Sequence, residues 1–197
     1  LDAAGFLGAL ESATGVQLDD FFNAQVYSPG FSVFTTQSFS SVPDQGAYLV
    51  DLVLRQRLRA TSTMHLSVPL DVTLIGADGQ RQEFQVTASG ATTELQLTCA
   101  FEPVMVVLNG HNRLNQARMD HEFTAIPGQS FSPTLPRVAF RLTQDELTDT
   151  TLIRVEHIWA GAGEDPMDWG IYAVSNTHYW TVDGLWPEGT RLNGRVS

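Results

Sequence analysis

The apolar residues of the first 29 positions recur with the period of a helix. One face of a first helix collects four of them, Phe6, Leu7, Leu10 and Ala13. Gly15 is placed to end this helix, and a second short helix follows it. The apolar face of this second helix is predicted to hold Leu18, Phe21, Phe22 and Val26. Helices this short are marginal by themselves, so we expect them to pack on the following sheet or on another domain.

From about residue 31 the pattern changes to the two-residue period of β-strands. One side of the segment 48–59 is predicted to hold Tyr48, Val50, Leu52, Leu54 and Leu58. The inner face of the next strand is predicted to hold Leu66, Val68, Leu70, Val72 and Leu74. Pro69 lies within that strand and indicates an edge or a bulge. The glycines at 76 and 79 then predict a hairpin turn.

Further inner rows of apolar residues follow the hairpin. They are Phe84 and Val86, then Leu95, Leu97 and Cys99. The continuous apolar run 104–108 is predicted to be a strand buried on both faces. Short strands joined by Gly, Pro and Asp turns are typical of an antiparallel β-sandwich.

A polar segment over 110–136, with several prolines, predicts a boundary. After it, strands are predicted at 138–142, 152–159 and 171–182. The predicted fold class is therefore mainly β: an antiparallel β-sandwich of the immunoglobulin or fibronectin type, preceded by short helices and followed by a second β unit. The predicted units are a helical lead-in over 1–29, a β-sandwich over 30–112 and a second β unit over 113–197.

Charge and composition exclude several classes of function. The net charge is −11, from 22 acidic residues and 11 basic residues that are all arginine. An acidic surface repels phosphate backbones, so no nucleic acid is expected as a partner. The absence of lysine removes Schiff-base chemistry and Walker-type phosphate binding. No apolar run approaches the about 18 residues of a membrane span, and the single cysteine, Cys99, excludes a disulfide within the chain.

No motif for catalysis or metal binding is found in the sequence. None of the five histidines has a close metal-ligand spacing to another ligand; they are His65, His111, His121, His157 and His178. Ser130 lacks the flanking glycines of a nucleophile elbow, although a triad assembled from distant residues stays open. We therefore predict no catalytic residue, no metal ligand and no cofactor site in this chain.

Two charged groups have both a functional and a structural interpretation. One loop contains Glu164, Asp165 and Asp168, which could hold calcium, but a solvated acidic loop is favoured. One strand face contains Arg55, Arg57 and Arg59. These arginines could grip carboxylates, but an exposed face that balances the acidic residues is favoured.

Aromatic residues concentrate toward the C-terminus; they are Trp159, Trp169, Tyr172, Tyr179, Trp180 and Trp186. An aromatic platform on a β-sandwich can stack against the C–H face of a sugar ring, and burial in a core or an interface is the alternative. The candidates to face a ligand are Trp159, Trp169, Tyr179, Trp180 and Trp186.

The junction between the helices and the sandwich resembles one in a known family. The run 18–31 reads LDDFFNAQVYSPGF. It is similar to the segment in which zinc aminopeptidases of the aminopeptidase N type pass from the catalytic domain into a β-sandwich. The resemblance continues through Gln56, a Pro-Leu strand at 69–72 and a closing run at 102–109, and it covers about residues 5–115.

Two features depart from the family, because the junction helix lacks the usual Trp and no large helical C-terminal domain is matched. The run 178–187 is instead similar to the tails of exported bacterial members. The resemblance implies that the zinc ligands and the general-base Glu lie upstream of Leu1, in a catalytic domain of the same polypeptide. This chain would then be non-catalytic and exported, and it would buttress that domain beside the cleft for a peptide substrate.

Two other hypotheses remain open. The chain could be a free-standing module that binds carbohydrate or another extracellular partner through its C-terminal aromatic residues. It could also be a small hydrolase with a dispersed triad. Coplanar tryptophans at the surface would favour the first of these, and a Ser, a His and an Asp that meet in a pocket would favour the second. An apolar patch left uncovered on the helices would favour the accessory role.

Overall fold

The computed structural model describes residues 2–129, 132, 134–163 and 175–196, with the side chains of all these except 144 and 145. The first predicted helix is confirmed as α1, Ala3–Thr14. Its N-terminus is capped by Asp2, whose Oδ1 accepts a hydrogen bond of 2.8 Å from the Gly5 N–H. Gly15 ends the helix with a φ of 70°, a conformation that glycine adopts without strain.

The second helix is shorter than predicted and widens into a π-helix. Helix α2 spans Asp19–Phe22, and the π-helical turn follows directly over Asn23–Tyr27. The wider turn rotates the later residues away from the face expected for a period of 3.6 residues. Phe22 and Ala24 are buried, whereas Val26, which was predicted to share one apolar face with Phe22, is 48% exposed.

Six strands form the first β unit. They are β1 (Phe31–Asp44), β2 (Ala47–Arg59), β3 (Val68–Gly76), β4 (Arg81–Ala88), β5 (Thr92–Cys99) and β6 (Pro103–Leu108). They make two antiparallel sheets in the orders β1-β2-β5 and β4-β3-β6. The alternating residues predicted to be buried on β2 and β3 share one core, including Leu52, Leu54, Leu70 and Val72. The predicted fold class, mainly β with antiparallel sheets in a sandwich-like arrangement, is confirmed.

Three details of the first unit differ from the prediction or refine it. Leu66 is exposed and precedes β3. Strand β3 is central, but β6 pairs with it only from Val72 onward, so Pro69 lies where β3 has a single neighbour. Strand β6 is not buried on both faces, because Val104 is exposed. The predicted hairpin is confirmed by a hydrogen bond of 2.9 Å from Gly79 N to Gly76 O.

Six further strands form a second β unit. They are β7 (Arg118–Ala125), β8 (Thr134–Leu135), β9 (Phe140–Glu146), β10 (Thr151–Ile158), β11 (Tyr179–Gly184) and β12 (Arg191–Val196). The sheets have the orders β11-β10-β7 and β12-β9-β8. Their shared core includes Val138, Leu142, Ile153 and Val155. In the described part of the chain, no strand ladder joins 31–108 to 118–196.

Strands β7, β8 and β12 were not predicted; β7 and β8 lie within 110–136, a segment that was predicted to be a polar boundary. Strand β7 reads RMDHEFTA and contains several charged residues, yet it pairs with β10 along its whole length. The side chains of Arg118, Asp120 and Glu122 lie on the face of β7 that meets the first unit, where Arg118 bonds Leu108 O and Glu122 pairs with Arg81, and alternation alone does not reveal this contact. Part of the predicted strand 171–182 lies outside the described residues, and β11 begins at Tyr179.

The two units pack against each other through two small apolar clusters. Val33 of β1 packs with Ala117 and Ile158. Met105 of β6, in a second cluster, packs against Leu185. A cleft of about 330 Å³ lies between the units near these clusters and is lined by residues of both.

Candidate functional site

The cleft between the units is lined by charged residues of the second unit. On β10, Ile153 and Val155 enter the core of the second unit. Successive side chains of a strand point to opposite faces, so Arg154 and Glu156 point toward the first unit. Arg118 lies beside them on β7, which pairs with β10. The sequence therefore places an ionic face on a strand that is buried on both sides.

Arg154 is the centre of this ionic face. Its side chain is 4% exposed and contacts three carboxylates. The distances are 2.9 Å from Nε to Glu156 Oε1, 3.2 Å from Nη2 to Asp120 Oδ2, and 3.3 Å from Nη1 to Glu122 Oε2. Glu122 also receives Arg81 of the first unit at 2.6 Å. A buried guanidinium is tolerated only with such compensation.

Arg118 links the same network to the first unit. Its Nη1 lies 3.2 Å from Glu156 Oε1, and its Nη2 donates a hydrogen bond of 2.6 Å to the carbonyl oxygen of Leu108, the last residue of β6. Glu156 therefore forms ion pairs with both buried arginines. The network holds the end of β6 against β7.

The two buried arginines have pKa values shifted in opposite directions. Burial lowers the pKa of Arg118, and the carboxylate of Glu156 opposes this only in part. Burial acts on Arg154 in the same way, but the carboxylates of Glu156, Asp120 and Glu122 outweigh it and raise its pKa. Both groups stay protonated at neutral pH, so neither can act as a general base.

Arg57 of β2 closes the cleft from the first unit, so the interpretation of the arginine face as exposed is wrong for Arg57, whereas Arg59 is exposed. Arg57 is half-buried, and its Nη1 donates a hydrogen bond of 3.0 Å to Gly161 O. Its guanidinium carbon lies 5.6 Å from the centre of the Tyr179 ring. Arg59 donates to Trp159 O at 3.2 Å. Two of the three arginines therefore bind the second unit.

The aromatic candidates divide into half-buried residues and one at the surface. Trp180 stacks on His157, with ring centres 4.2 Å apart, and donates from Nε1 to Val138 O at 2.7 Å. Trp159 donates from Nε1 to His157 Nδ1 at 3.1 Å. Burial raises the pKa of Tyr179, although Arg57 acts against it. The side chains of Trp159, Tyr179 and Trp180 therefore make hydrogen-bond or ring contacts within the protein.

Trp186 differs, because it is 46% exposed. It lines a groove of about 880 Å³ between the β3–β4 hairpin and the end of β11. Trp169, Tyr172 and the proposed calcium residues Glu164, Asp165 and Asp168 lie outside the described residues, as does Ser130.

The histidines form no arrangement typical of catalysis in the part of the chain that the structure describes. His65 Nδ1 pairs with Gln25 Nε2 at 2.9 Å, and His111 pairs with Glu83 at 3.0 Å. No serine hydroxyl is hydrogen-bonded to a histidine ring among these residues. A group of three or more His, Cys, Asp or Glu residues that could hold a metal ion is likewise not found among them.

We expect buried histidines to make the protein less stable in acid. Burial lowers the pKa of His65, and burial with the nearby His178 and Arg59 lowers that of His157, below the ordinary 6.5. The unfolded chain then binds protons more readily than the folded one. The free energy of unfolding should be unaffected above about pH 6.5 and should fall as the pH drops below it.

Thermal unfolding between pH 7.5 and 5 checks this expectation. The variant His157→Phe keeps an aromatic ring on Trp180 and removes one titrating group, so its melting temperature should fall less steeply with acid. His111→Gln is the matched control, because it replaces an exposed histidine at a surface position. Equal slopes for the unmodified chain and His157→Phe would contradict the role of His157.

A third candidate surface is the outer side of the helices. None of the twelve residues of α1, all of which are described, is buried. Phe6 is 51% exposed, and Val26 and Tyr27 of the π-helical turn are exposed as well. Large apolar side chains grouped at one surface mark a region that another structure covers.

The inner side of the helical segment, by contrast, is fixed to the sandwich. Gln25 pairs with His65, as described above, in the loop that follows β2. The backbone N–H of His65 donates to Gln56 Oε1 at 2.7 Å. Gln56 Nε2 in turn donates to the carbonyl oxygens of His65 and Gly90 at 3.0 Å and 2.8 Å. A continuous set of hydrogen bonds therefore joins the π-helical turn to the loops that follow β2 and β4, at one end of the sandwich.

No family model, curated protein or solved structure matches the chain. The relation to zinc aminopeptidases therefore stays a prediction that rests on the residues quoted above. No helix among the described residues is long and apolar enough to cross a membrane.

Proposed function

We propose that the chain is the non-catalytic accessory β region of a larger, exported protein similar to the zinc aminopeptidases. Its helical segment packs against a catalytic domain that precedes it in the same polypeptide. That domain holds the zinc and its ligands, and this chain supplies a rigid support beside the cleft for the peptide substrate. The observation that carries the proposal is the uncovered apolar side of α1.

The energetics of α1 support a missing partner. A helix of about 12 residues is marginal in water unless an amphipathic face is packed. The contacts of α1 within the described chain are few, such as the Phe6 ring at 6.2 Å from that of Phe22. Each large apolar side chain that becomes fully buried stabilises the packed state by about 1.5–3 kcal/mol. Covering Phe6 and Leu10 would therefore decide whether the helix is stable.

The attachment of the helical segment supports a role in domain packing. Phe22 is buried and Gln25 reaches His65, so the segment cannot swing freely. The same segment contains the run 18–31 that resembles the junction between catalytic domain and sandwich in the aminopeptidases. A segment that is fixed to the sandwich on one side and apolar on the other can hold the sandwich in a defined position against a neighbouring domain.

Hydrogen–deuterium exchange tests this proposal in the full polypeptide and in the chain Leu1–Ser197. The amides of α1 should exchange about tenfold more slowly in the full polypeptide, because covering the half-exposed Phe6 and the remaining exposed part of Leu10 contributes about 1.5 kcal/mol in total. Phe6→Ser should remove most of that protection. Val42→Ser is the matched control, since Val42 on β1 is equally exposed at 53% and lies outside the helices.

The result that contradicts docking is equal exchange of α1 in both polypeptides. The catalytic assignment has its own readout: the full polypeptide should contain an H-E-x-x-H motif upstream of Leu1, bind zinc and hydrolyse amino-acid 4-nitroanilides. A full polypeptide that protects α1 but has none of these properties would keep the accessory role and exclude the peptidase.

A further inference from the structure

The groove beside Trp186 is separate from the outer side of the helices and from the cleft that contains Arg118 and Arg154. The β3–β4 hairpin of the first unit forms one wall, with Asp78 and Arg81. The second unit forms the other wall, with Asp149, Thr150 and Trp186. Its volume of about 880 Å³ falls within the range of small-molecule sites. The groove therefore exists only because the two units are packed together.

The indole of Trp186 is held in place from below. The preceding Leu185 is anchored by a hydrogen bond of 3.0 Å from its N–H to Leu152 O, and its side chain packs on the cluster around Met105. Gly184 lies so close to the indole that a Cβ there would be 3.0 Å from Cζ2 of the ring. An exposed aromatic ring that is supported in this way loses little conformational entropy when a ligand stacks on it.

The polar groups of the groove suit a ligand with many hydroxyl groups. Asp78 makes no hydrogen bond or ion pair with another residue in the part of the chain that is described. Asp149 uses Oδ1 to accept from the Thr150 N–H at 2.6 Å, and its other oxygen remains available. Carboxylate oxygens accept hydrogen bonds from hydroxyls, and the Thr150 hydroxyl can donate or accept.

The charge of the groove disfavours an anionic ligand and is compatible with a neutral one. Arg81 is engaged by Glu122 at 2.6 Å, and the whole chain carries a net charge of −11. An anionic ligand would be repelled. A neutral ligand with apolar C–H faces and hydroxyl edges matches both the ring and the two carboxylates.

We propose that this groove binds a neutral oligosaccharide, with one pyranose ring stacked on Trp186 and its hydroxyls bonded to Asp78 and Asp149. The C–H face of the sugar meets the electron-rich face of the indole. Trp186 also borders a smaller hollow of about 270 Å³ with Val182 and Leu192, so a chain of sugars can extend beyond the ring. This proposal does not depend on what covers the helices.

Calorimetric titration of the chain with cellohexaose, xylohexaose, mannohexaose and chitohexaose tests the site. At least one of these probes should bind with a Kd below about 1 mM. Trp186→Ser should weaken that binding at least about tenfold, because a central aromatic anchor dominates such sites. Trp186→Phe keeps a stacking ring and should retain most of the affinity. Tyr27→Ala is the matched control, since Tyr27 is a similarly exposed aromatic residue, at 47%, on the helical segment.

A second variant keeps the test valid if Trp186→Ser unfolds. Asp78 lies in an exposed turn, so Asp78→Ala should leave the melting temperature unchanged and weaken binding about fivefold, the effect of one lost hydrogen bond. The proposal is overturned if none of the four oligosaccharides binds, or if binding survives both Trp186→Ser and Asp78→Ala. Salt-sensitive binding of an arginine-rich peptide in place of sugars would also overturn it, because it would identify a cation site.

Discussion

Replacing Arg154 by alanine is expected to lower the free energy of unfolding by about 3–5 kcal/mol, the usual cost of breaking a buried ion pair by removing one partner. Arg154 is 3% exposed and contacts the carboxylates of Glu156, Asp120 and Glu122. Without the guanidinium, Asp120 loses its ion pair, and Glu156 keeps only Arg118. The remaining carboxylates then face one another in a region with little water.

Urea denaturation checks this expectation. Glu83→Ala breaks the exposed pair with His111, both of whose side chains are about half exposed, and it should cost less than about 1 kcal/mol. If Arg154→Ala costs no more than Glu83→Ala, the network does not stabilise the contact between the units. A two-step unfolding curve for Arg154→Ala would locate the loss at that contact, because each unit has its own core.

Replacing Gln56 by leucine should lower the free energy of unfolding by about 3 kcal/mol. Gln56 is 3% exposed, and its amide bonds the N–H of His65 and the carbonyl oxygen of Gly90. Leucine fills a similar volume but leaves both groups without this partner, and each buried unsatisfied group costs about 1–3 kcal/mol. The carbonyl oxygen of His65 is less affected, because it also accepts from Gly90 N at 3.0 Å.

The measurement is again urea denaturation, together with hydrogen exchange of residues 19–27. Gln96→Leu is the control, since Gln96 on β5 is exposed and its side-chain amide donates a hydrogen bond of 3.0 Å to Asp51 Oδ1 at the surface. It should change stability by less than about 0.5 kcal/mol. Faster exchange in 19–27 for Gln56→Leu alone would show that the hydrogen bonds through His65 fix the helical segment. Unchanged exchange would leave Gln56 with a role in the sandwich only.

Local periodicity predicted the elements whose partners lie nearby in the fold. The spacing of apolar residues and Gly15 gave α1 correctly, because a helix depends on contacts between residues a few positions apart. Alternation identified β2 and β3, since each has one face in the core of the first unit. The glycines at 76 and 79 located the hairpin for the same local reason.

Elements that depend on distant parts of the chain were missed or misplaced. The charged residues of strand β7 predict a polar linker, because the low exposure of Arg118 and Asp120, at 2% and 10% of their side chains, arises only in the folded contact with distant strands. The π-helical turn over 23–27 moved Val26 to the surface, and no short-range pattern signals that change of period. The alternation of β2 predicts an exposed arginine face, but Arg57 lies against Gly161 of the second unit, a contact between residues far apart in the sequence.

For the candidate sites, the sequence by itself determined which residue types were present and which chemistries they excluded. It showed that lysine is absent, that no metal motif occurs, and that aromatic residues gather near the C-terminus. Only the tertiary structure decided that Trp180 stacks on His157 while Trp186 stands at the edge of a groove. The sequence shows only that an aromatic residue is present, whether that residue is buried or exposed. Its exposure is set by long-range packing between the two units, which no local pattern encodes.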